Sequence, residues 1–201
     1  MEGDEGRSRA ETREFFGARA AGWDEKFADD GPAFAAAVAE LGLAPGGTAL
    51  DAGCGTGRAF APLRAAVGHA GRVVGVDVTP EMARVALGRR ELGGVVLGEV
   101  ERLPLRDAVA DGVLASGLIS HLPHPRAALS ELARVTVPGG RLALFSPVGR
   151  AVLAARRGRV LSASDVRERA NLEPLLRESG WGLSLFHDGD DRYLAVAVRQ
   201  G

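Results

Sequence analysis

The chain has one cysteine and one lysine in 201 residues, and both scarcities exclude chemistry. A lone Cys54 rules out an internal disulfide and a zinc cluster, and it fits a reducing compartment. Lys26 is the sole lysine; the remaining basic residues are arginines, a bias that reads as a GC-rich coding sequence rather than a function. Charge of one sign is also missing: the formal net charge is −1, so no global positive field draws the molecule to nucleic acid or to an anionic membrane. No uncharged apolar run approaches the roughly 18 residues of a membrane span. The opening stretch, MEGDEGRSRAETREFF, lacks the apolar core of a signal peptide, so a cytoplasmic protein is expected. Internal repeats and low-complexity linkers are absent. What is present is an ordinary globular composition, 46% hydrophobic and 25% charged, of a length that suits one domain.

Along the chain, Ser8 to Ala21 mixes charges with Phe15, Phe16 and alanines as a short helix would, ended by Gly22. A second helical pattern follows Pro32 through Phe34, Val38 and Leu41 to Gly42, before Pro45-Gly46-Gly47 breaks the chain. From there short apolar runs alternate with amphipathic stretches. Strands are expected at 48–50, 72–76, 94–97, 112–115 and 141–145. Helices are expected at 58–68, after Thr79-Pro80-Glu81 with Thr79 as N-cap, at 125–135 and at 172–179. Pro138-Gly139-Gly140 should punctuate the chain ahead of the fifth strand. Alternation of this kind predicts a mostly parallel, doubly wound α/β sheet with helices on both faces. Two closing strands, 181–186 and 193–198, are joined through Asp188-Gly189-Asp190 and predict an antiparallel hairpin at the edge. Trp181 reads as core. The predicted layout is an N-terminal helical segment, 1–44, over a Rossmann-like domain, 45–201, together forming one structural domain.

Open parallel sheets bind ligands at the carboxyl ends of their strands. The first such end reads Leu50-Asp51-Ala52-Gly53-Cys54-Gly55-Thr56-Gly57. Glycines here allow a tight turn and close approach of backbone to ligand, and Asp51 places a carboxylate where a cation can lie. Asp77 ends the second strand about 20 residues past Gly57, the offset at which an acid grips ribose hydroxyls in nucleoside-binding folds. Its other reading, capping the next helix, falls better to Thr79. A dinucleotide loop would need glycine where Arg58 stands, and a P-loop would need a lysine that is missing. An acid before the first glycine, with no phosphate-binding lysine, suits a ligand carrying an ammonium.

The segment ALDAGCGTGR, residues 49–58, resembles the first motif of class I S-adenosylmethionine-dependent methyltransferases. VVGVDVTPEM (73–82), GEVERLPL (98–105), DGVLASGLISHL (111–122) and ALSELARVTVPGGRLAL (128–144) resemble the following motifs in order and spacing. The likeness covers about residues 46–147 and is greatest to the ubiquinone-biosynthesis-like subgroup of small-molecule methyltransferases. It implies that Asp51 and the loop of Gly53, Cys54, Gly55 and Gly57 hold the amino-acid end of S-adenosylmethionine, and that Asp77 holds the ribose. Val78 and Met82 would pack on the adenine, Glu99 and Val100 would read its edge, and Ser116 would offer its carbonyl to the ammonium. Glu99 and Val100 replace the family's usual Asp-Ala, so either the longer Glu99 retracts or Glu101 takes part.

Methyl transfer at a sulfonium-activated carbon needs chiefly alignment, with a general base only if the acceptor loses a proton early. His121 is the candidate base because it follows the fourth strand; its alternative is a loop residue filling a position where histidine is common in the family. His69, His124 and His187 have no such case. Trp23 is read either as an aromatic face near the sulfonium or as an anchor for the N-terminal segment. Cys54 is expected to pack rather than react. Arg150, Arg156, Arg157 and Arg159 form a basic cluster after the fifth strand, read as a solvated helix face with an acidic acceptor or RNA as the alternative. The Asn/Asp-Pro-Pro-aromatic signature of many nucleic-acid methyltransferases is absent, the matching strand end being Ala115-Ser116-Gly117-Leu118. The expected protein is thus a methyltransferase acting on a small molecule, without metal or nucleic acid, as monomer or homodimer. Alternatives are a non-catalytic S-adenosylmethionine-binding protein, a macromolecule-directed methyltransferase and, as a third class, a nicotinamide oxidoreductase.

Overall fold

A computed structural model describes residues 8–26 and 28–201. The first seven residues of the charged opening stretch, and position 27 of the segment assigned to 1–44, lie outside the described residues.

Ser8 closes a capping box with Glu11 and starts helix α1, Arg9–Gly17. Helix α2, Trp23–Lys26, follows a 3-10 turn, and α3 spans Gly31–Ala39. The single helix expected over 8–21 therefore ends at Gly17 and gives way to the 3-10 turn Ala20–Gly22. Strand β1, Thr48–Ala52, then leads to α4, Phe60–Val67, and β2, Arg72–Asp77, to α5, Pro80–Ala86. Strands β3, Gly94–Leu97, and β4, Ala110–Ser116, precede α6, Pro125–Val135, and β5, Thr136–Ser146. Helices α7, Arg150–Arg156, and α8, Arg169–Glu178, come before the hairpin of β6, Trp181–Asp188, and β7, Tyr193–Arg199.

The strands form one sheet in the order β3-β2-β1-β4-β5-β7-β6. The first five run parallel, while β7 pairs antiparallel with both β5 and β6. The strand period of two sorts the core into two layers. Leu50, Val113, Leu142 and Leu144 face α6 and α8, where Leu129, Leu132, Leu172 and Leu176 complete one cluster. Ala49, Leu114, Ala143 and Phe145 face α3 and α4, where Phe34, Val38, Phe60 and Leu63 complete the other. Trp181 is fully buried and donates its indole N–H to the Leu129 carbonyl at 2.9 Å.

Two local expectations are corrected. Pro138-Gly139-Gly140 lies inside β5 rather than ahead of it, as a bulge: Thr136 pairs with Ala110, but the next pairing is Arg141 with Gly112. Thr79 occupies the N-cap position of α5 without capping it; its hydroxyl and its N–H both serve the Asp77 carboxylate.

The strand order reverses between β1 and β4, so the crevice beyond their carboxyl ends is the topological switch point of the sheet.

Candidate active site

Asp51 pairs in register with Gly75, and Asp77 stands further along the neighbouring strand with the same parity. Both carboxylates therefore emerge on one side of the sheet, at the switch point, and both line one cavity. Gly53 and Cys54 donate their N–H groups to the Val76 carbonyl at 2.8 and 2.9 Å, which folds the glycine loop back on β2. Gly55 N–H donates to one Asp77 oxygen at 2.8 Å and Thr79 N–H to the other at 2.8 Å. The Thr79 hydroxyl and the Val78 N–H also serve this carboxylate. Asp77 thus latches the loop while its carboxylate lines the cavity.

Gly53 has φ +69°, and a Cβ there would stand 2.9 Å from the Leu118 side chain. Gly55 and Cys54 also line the cavity, and nothing lies within 4 Å of where a Gly55 Cβ would be. Gly57 lies outside the lining: its bare α-carbon lets the Phe60 ring and Ala86 pack close under the loop. The cavity lining continues through Val78 and the buried Met82, then Glu99 and Val100, and across the loop to Ser116.

The electrostatics are set by burial. Asp51 is 2% exposed; desolvation, with the Asp77 charge added, pushes its carboxyl up to about 8. No donor among the described residues offsets that cost. Burial also raises Asp77 despite its backbone donors. Burial pushes the Cys54 thiol far up as well, with the two aspartates adding, so this sulfur is inert packing beside the α4 core.

At the far side of the crevice Ile119–His121 forms a 3-10 turn that carries His121 into the lining. Its ring stands edge-on to Phe16, 5.2 Å between centroids, and Phe16 meets Trp23 at 5.6 Å. Trp23 and Phe16 line the same cavity, so α1 and α2 supply an aromatic wall facing the strand ends.

Several residues passed over in the sequence hold that wall. Thr56 of the loop donates to Asp24 at 2.6 Å, Arg89 donates to the other Asp24 oxygen at 2.8 Å, and Arg89 also reaches the Thr56 carbonyl. Burial works against the Asp24 charge, but the Thr56 and Arg89 hydrogen bonds and the charges of Arg89 and Arg58 hold it below the usual carboxylate range. Arg58 pairs with Asp30 at 3.2 Å. Arg9 of α1 spans Glu99 at 3.0 Å and Glu101 at 2.5 Å. No spacing rule announces these pairs, because each joins segments remote in sequence; the acidic run after Trp23 was the sole available hint.

Among the described residues no group of three or more His, Cys, Asp and Glu converges as a metal site, and no helix is long and apolar enough to cross a membrane. The cavity measures about 960 Å³.

Residues 50–144 match the family described as a methyltransferase domain. That stretch is similar to S-adenosylmethionine-dependent methyltransferases, a likeness that supports S-adenosylmethionine as the cofactor. Among characterised relatives, the chain is 42% identical over 102 residues to the malonyl-[acyl-carrier protein] O-methyltransferase of Serratia marcescens, covering 51% of this chain and 38% of that protein. It is 35% identical over 109 residues to the ubiquinone/menaquinone biosynthesis C-methyltransferase UbiE of Burkholderia mallei, covering 52% and 45%. The match spans less than half the length of either relative. Among solved structures, a chain from the complex of the Haloferax volcanii Trm112 methyltransferase activator with a methyltransferase superposes with TM-score 0.75 at 21% identity, covering 92% of this chain and 98% of that one, a likeness of fold.

Proposed function

We propose that the chain transfers the methyl group of S-adenosylmethionine to a small molecule by in-line displacement at the sulfonium carbon. The observation that carries this reading is the buried Asp51–Asp77 pair beside a bare glycine loop: two desolvated carboxylates in one cleft suit a ligand with an ammonium and vicinal hydroxyls. Asp51, the Gly53–Gly55 backbone and the Ser116 carbonyl would hold the amino-acid end, and Asp77 the ribose. Val78 and Met82 would flank the adenine, with Val100 and either Glu99 or Glu101 at its edge. Bound there, S-adenosylmethionine supplies an electrophilic methyl carbon.

The protein's own work is alignment and exclusion of water. Residues 1–44 act as a cap on this reading, Trp23 and Phe16 lying over the cleft with an aromatic face toward the positive sulfur. The cavity is larger than a nucleoside requires and extends past the loop of Ser120 to Pro123, which supports an acceptor pocket and a small-molecule acceptor. His121 is the group placed to take a proton from an acceptor that must lose one. Its contact with Phe16 orients the ring and makes it a wall for any acceptor.

A macromolecular acceptor, with a helper protein, is the second reading; it draws on the fold shared along nearly the whole chain with the Trm112-associated methyltransferase. The test is calorimetry with S-adenosylhomocysteine and with NAD, followed by a screen of small acceptors and of tRNA and protein acceptors for S-adenosylhomocysteine release. Micromolar binding of S-adenosylhomocysteine with turnover of a small acceptor is expected. Binding of NAD alone, or turnover confined to macromolecules, overturns the reading.

A further inference from the structure

Helix α1 starts on a fixed turn. The Ser8 N–H donates to the Glu11 carboxylate at 2.7 Å and the Glu11 N–H to the Ser8 hydroxyl at 3.3 Å, so Arg9, the first helical residue, leaves from a set position. Arg9, Thr12 and Phe16 follow at spacings of three and four, which puts them on one helix face, and all three line the cavity. Phe16 meets His121 at one end of that stripe. At the other end the Arg9 guanidinium reaches two acids at once, one nitrogen 3.0 Å from Glu99 and the other 2.5 Å from Glu101.

Both acids come from a tight turn beyond β3. The Gly98 N–H donates to the Asp77 carbonyl at 2.9 Å and the Arg102 N–H to the Glu99 carbonyl at 3.1 Å, which bends the chain back on itself. Val100 is buried in the core between the two glutamates, and both of them line the cavity. Adjacent carboxylates repel, and the guanidinium fork offsets that repulsion by taking the Oε2 atom of each. One guanidinium against two carboxylates leaves the trio negative, which favours a hydrogen-bond donor on a ligand and opposes an acceptor. The Arg9 and Glu99 side chains are 48% and 44% exposed, and ion pairs so placed add little to stability. What the contact does supply is direction.

We infer that Arg9 is the positioning residue that makes this end of the cavity select a 6-aminopurine over a 6-oxopurine. Holding Glu99 and Glu101 side by side, it keeps a carboxylate oxygen where an exocyclic amine can donate to it. A carbonyl in the same place would meet that oxygen lone pair to lone pair, and a site built around a donor rejects the analogue lacking it. That a nucleobase lies here at all rests on the S-adenosylmethionine reading; control over which base is what Arg9 adds.

The experiment is calorimetry with S-adenosylhomocysteine and with S-inosylhomocysteine, in which oxygen replaces the 6-amino group. Wild type is expected to hold the adenosyl compound roughly thirtyfold more tightly, the scale of a hydrogen bond to a charged group. Arg9→Ala should cut that ratio to about fivefold or less, and Arg9→Lys, which keeps the charge without the fork, should recover part of it. At least one of Glu99→Gln and Glu101→Gln should narrow the ratio too, because an amide can turn a donor toward the oxo group. Denaturant melts of all four variants should match wild type. A helix anchor with no part in base selection would weaken both compounds by one common factor in Arg9→Ala; an unchanged ratio therefore overturns the inference and leaves the cofactor reading standing. Equal affinity of wild type for the two compounds, or unchanged ratios in both glutamine variants, does the same. Wild type that binds neither compound overturns the cofactor reading and the inference together.

Discussion

Asp51 illustrates how a single side chain can be costly to the protein and useful to its ligand. Its carboxyl is held up to about 8 in the fold against an ordinary value near 3.9 in the unfolded chain. A raised carboxyl favours folding while protonated, and that contribution fades as pH rises from about 4 through about 8. Asp51→Asn removes the charge and keeps the shape, so the ligand-free variant should melt at a higher temperature than wild type near pH 8, with the gap closing toward pH 4. The same substitution should weaken S-adenosylhomocysteine at least tenfold, about 1.4 kcal/mol. Calorimetry should also show proton release on binding below pH 8, since an ammonium beside Asp51 favours its ionised form; the observed heat then varies with the buffer's own ionisation enthalpy. Asp77→Ala should cost at least as much affinity, because Asp77 also latches Gly55. His121→Ala should leave S-adenosylhomocysteine affinity within about twofold, roughly 0.4 kcal/mol, and change turnover alone; loss of binding would make the residue structural. The two aspartates were legible in the sequence because strand ends and glycine spacing fix where side chains emerge. The Thr56–Asp24–Arg89 knot was not, since its members meet only after the sheet has formed.

Helices and strands that bury a face were equally legible. Every strand expected from alternation is present, and the helices after β1, β2, β4 and α7 lie where their apolar positions repeat. Elements whose identity rests on pairing rather than pattern were not. Pro138-Gly139-Gly140 looks like a stop, yet β5 runs through it because Thr136 pairs with Ala110 before the bulge. Arg150–Arg156 lacks a broad apolar face and reads as a solvated helix face; the helix is present, but it lines the cavity with Arg150 buried and tied to Asp188. For the N-terminal wall, the relevant energies are small: the Asp24–Arg89 pair is about one-third exposed on both sides, where such pairs contribute at most about 1 kcal/mol. Asp24→Ala is accordingly expected to leave global unfolding nearly unchanged while weakening S-adenosylhomocysteine several-fold and shifting Trp23 emission, a separation visible by combining denaturant melts with fluorescence titration.

At the scale of the whole molecule, the two apolar layers cover the two faces of the sheet and the cavity lies beyond its strand ends, with core residues such as Phe34, Val100 and Phe145 forming part of its lining. Ligand linkage should reach the whole fold. With S-adenosylhomocysteine at one hundred times its dissociation constant, stability should rise by about 2.7 kcal/mol, and the melting temperature by roughly 5 to 11 °C for a chain of this size. A shift confined to S-adenosylhomocysteine, with none from NAD, is the expected pattern in differential scanning fluorimetry; an equal response to NAD would contradict the cofactor assignment.

Besides the Phe16–His121 ring contact, the aromatic wall of α1 and α2 is tied to the body of the protein by ion pairs of partly exposed side chains, Arg9 with Glu99 and Glu101 and Asp24 with Arg89. Such contacts are screened over about 8 to 10 Å at physiological ionic strength. Added salt should therefore loosen the flap and quicken escape of the spent nucleoside while loosening its equilibrium hold, so that an assay limited by product departure would run faster in moderate salt even as saturation demands more cofactor.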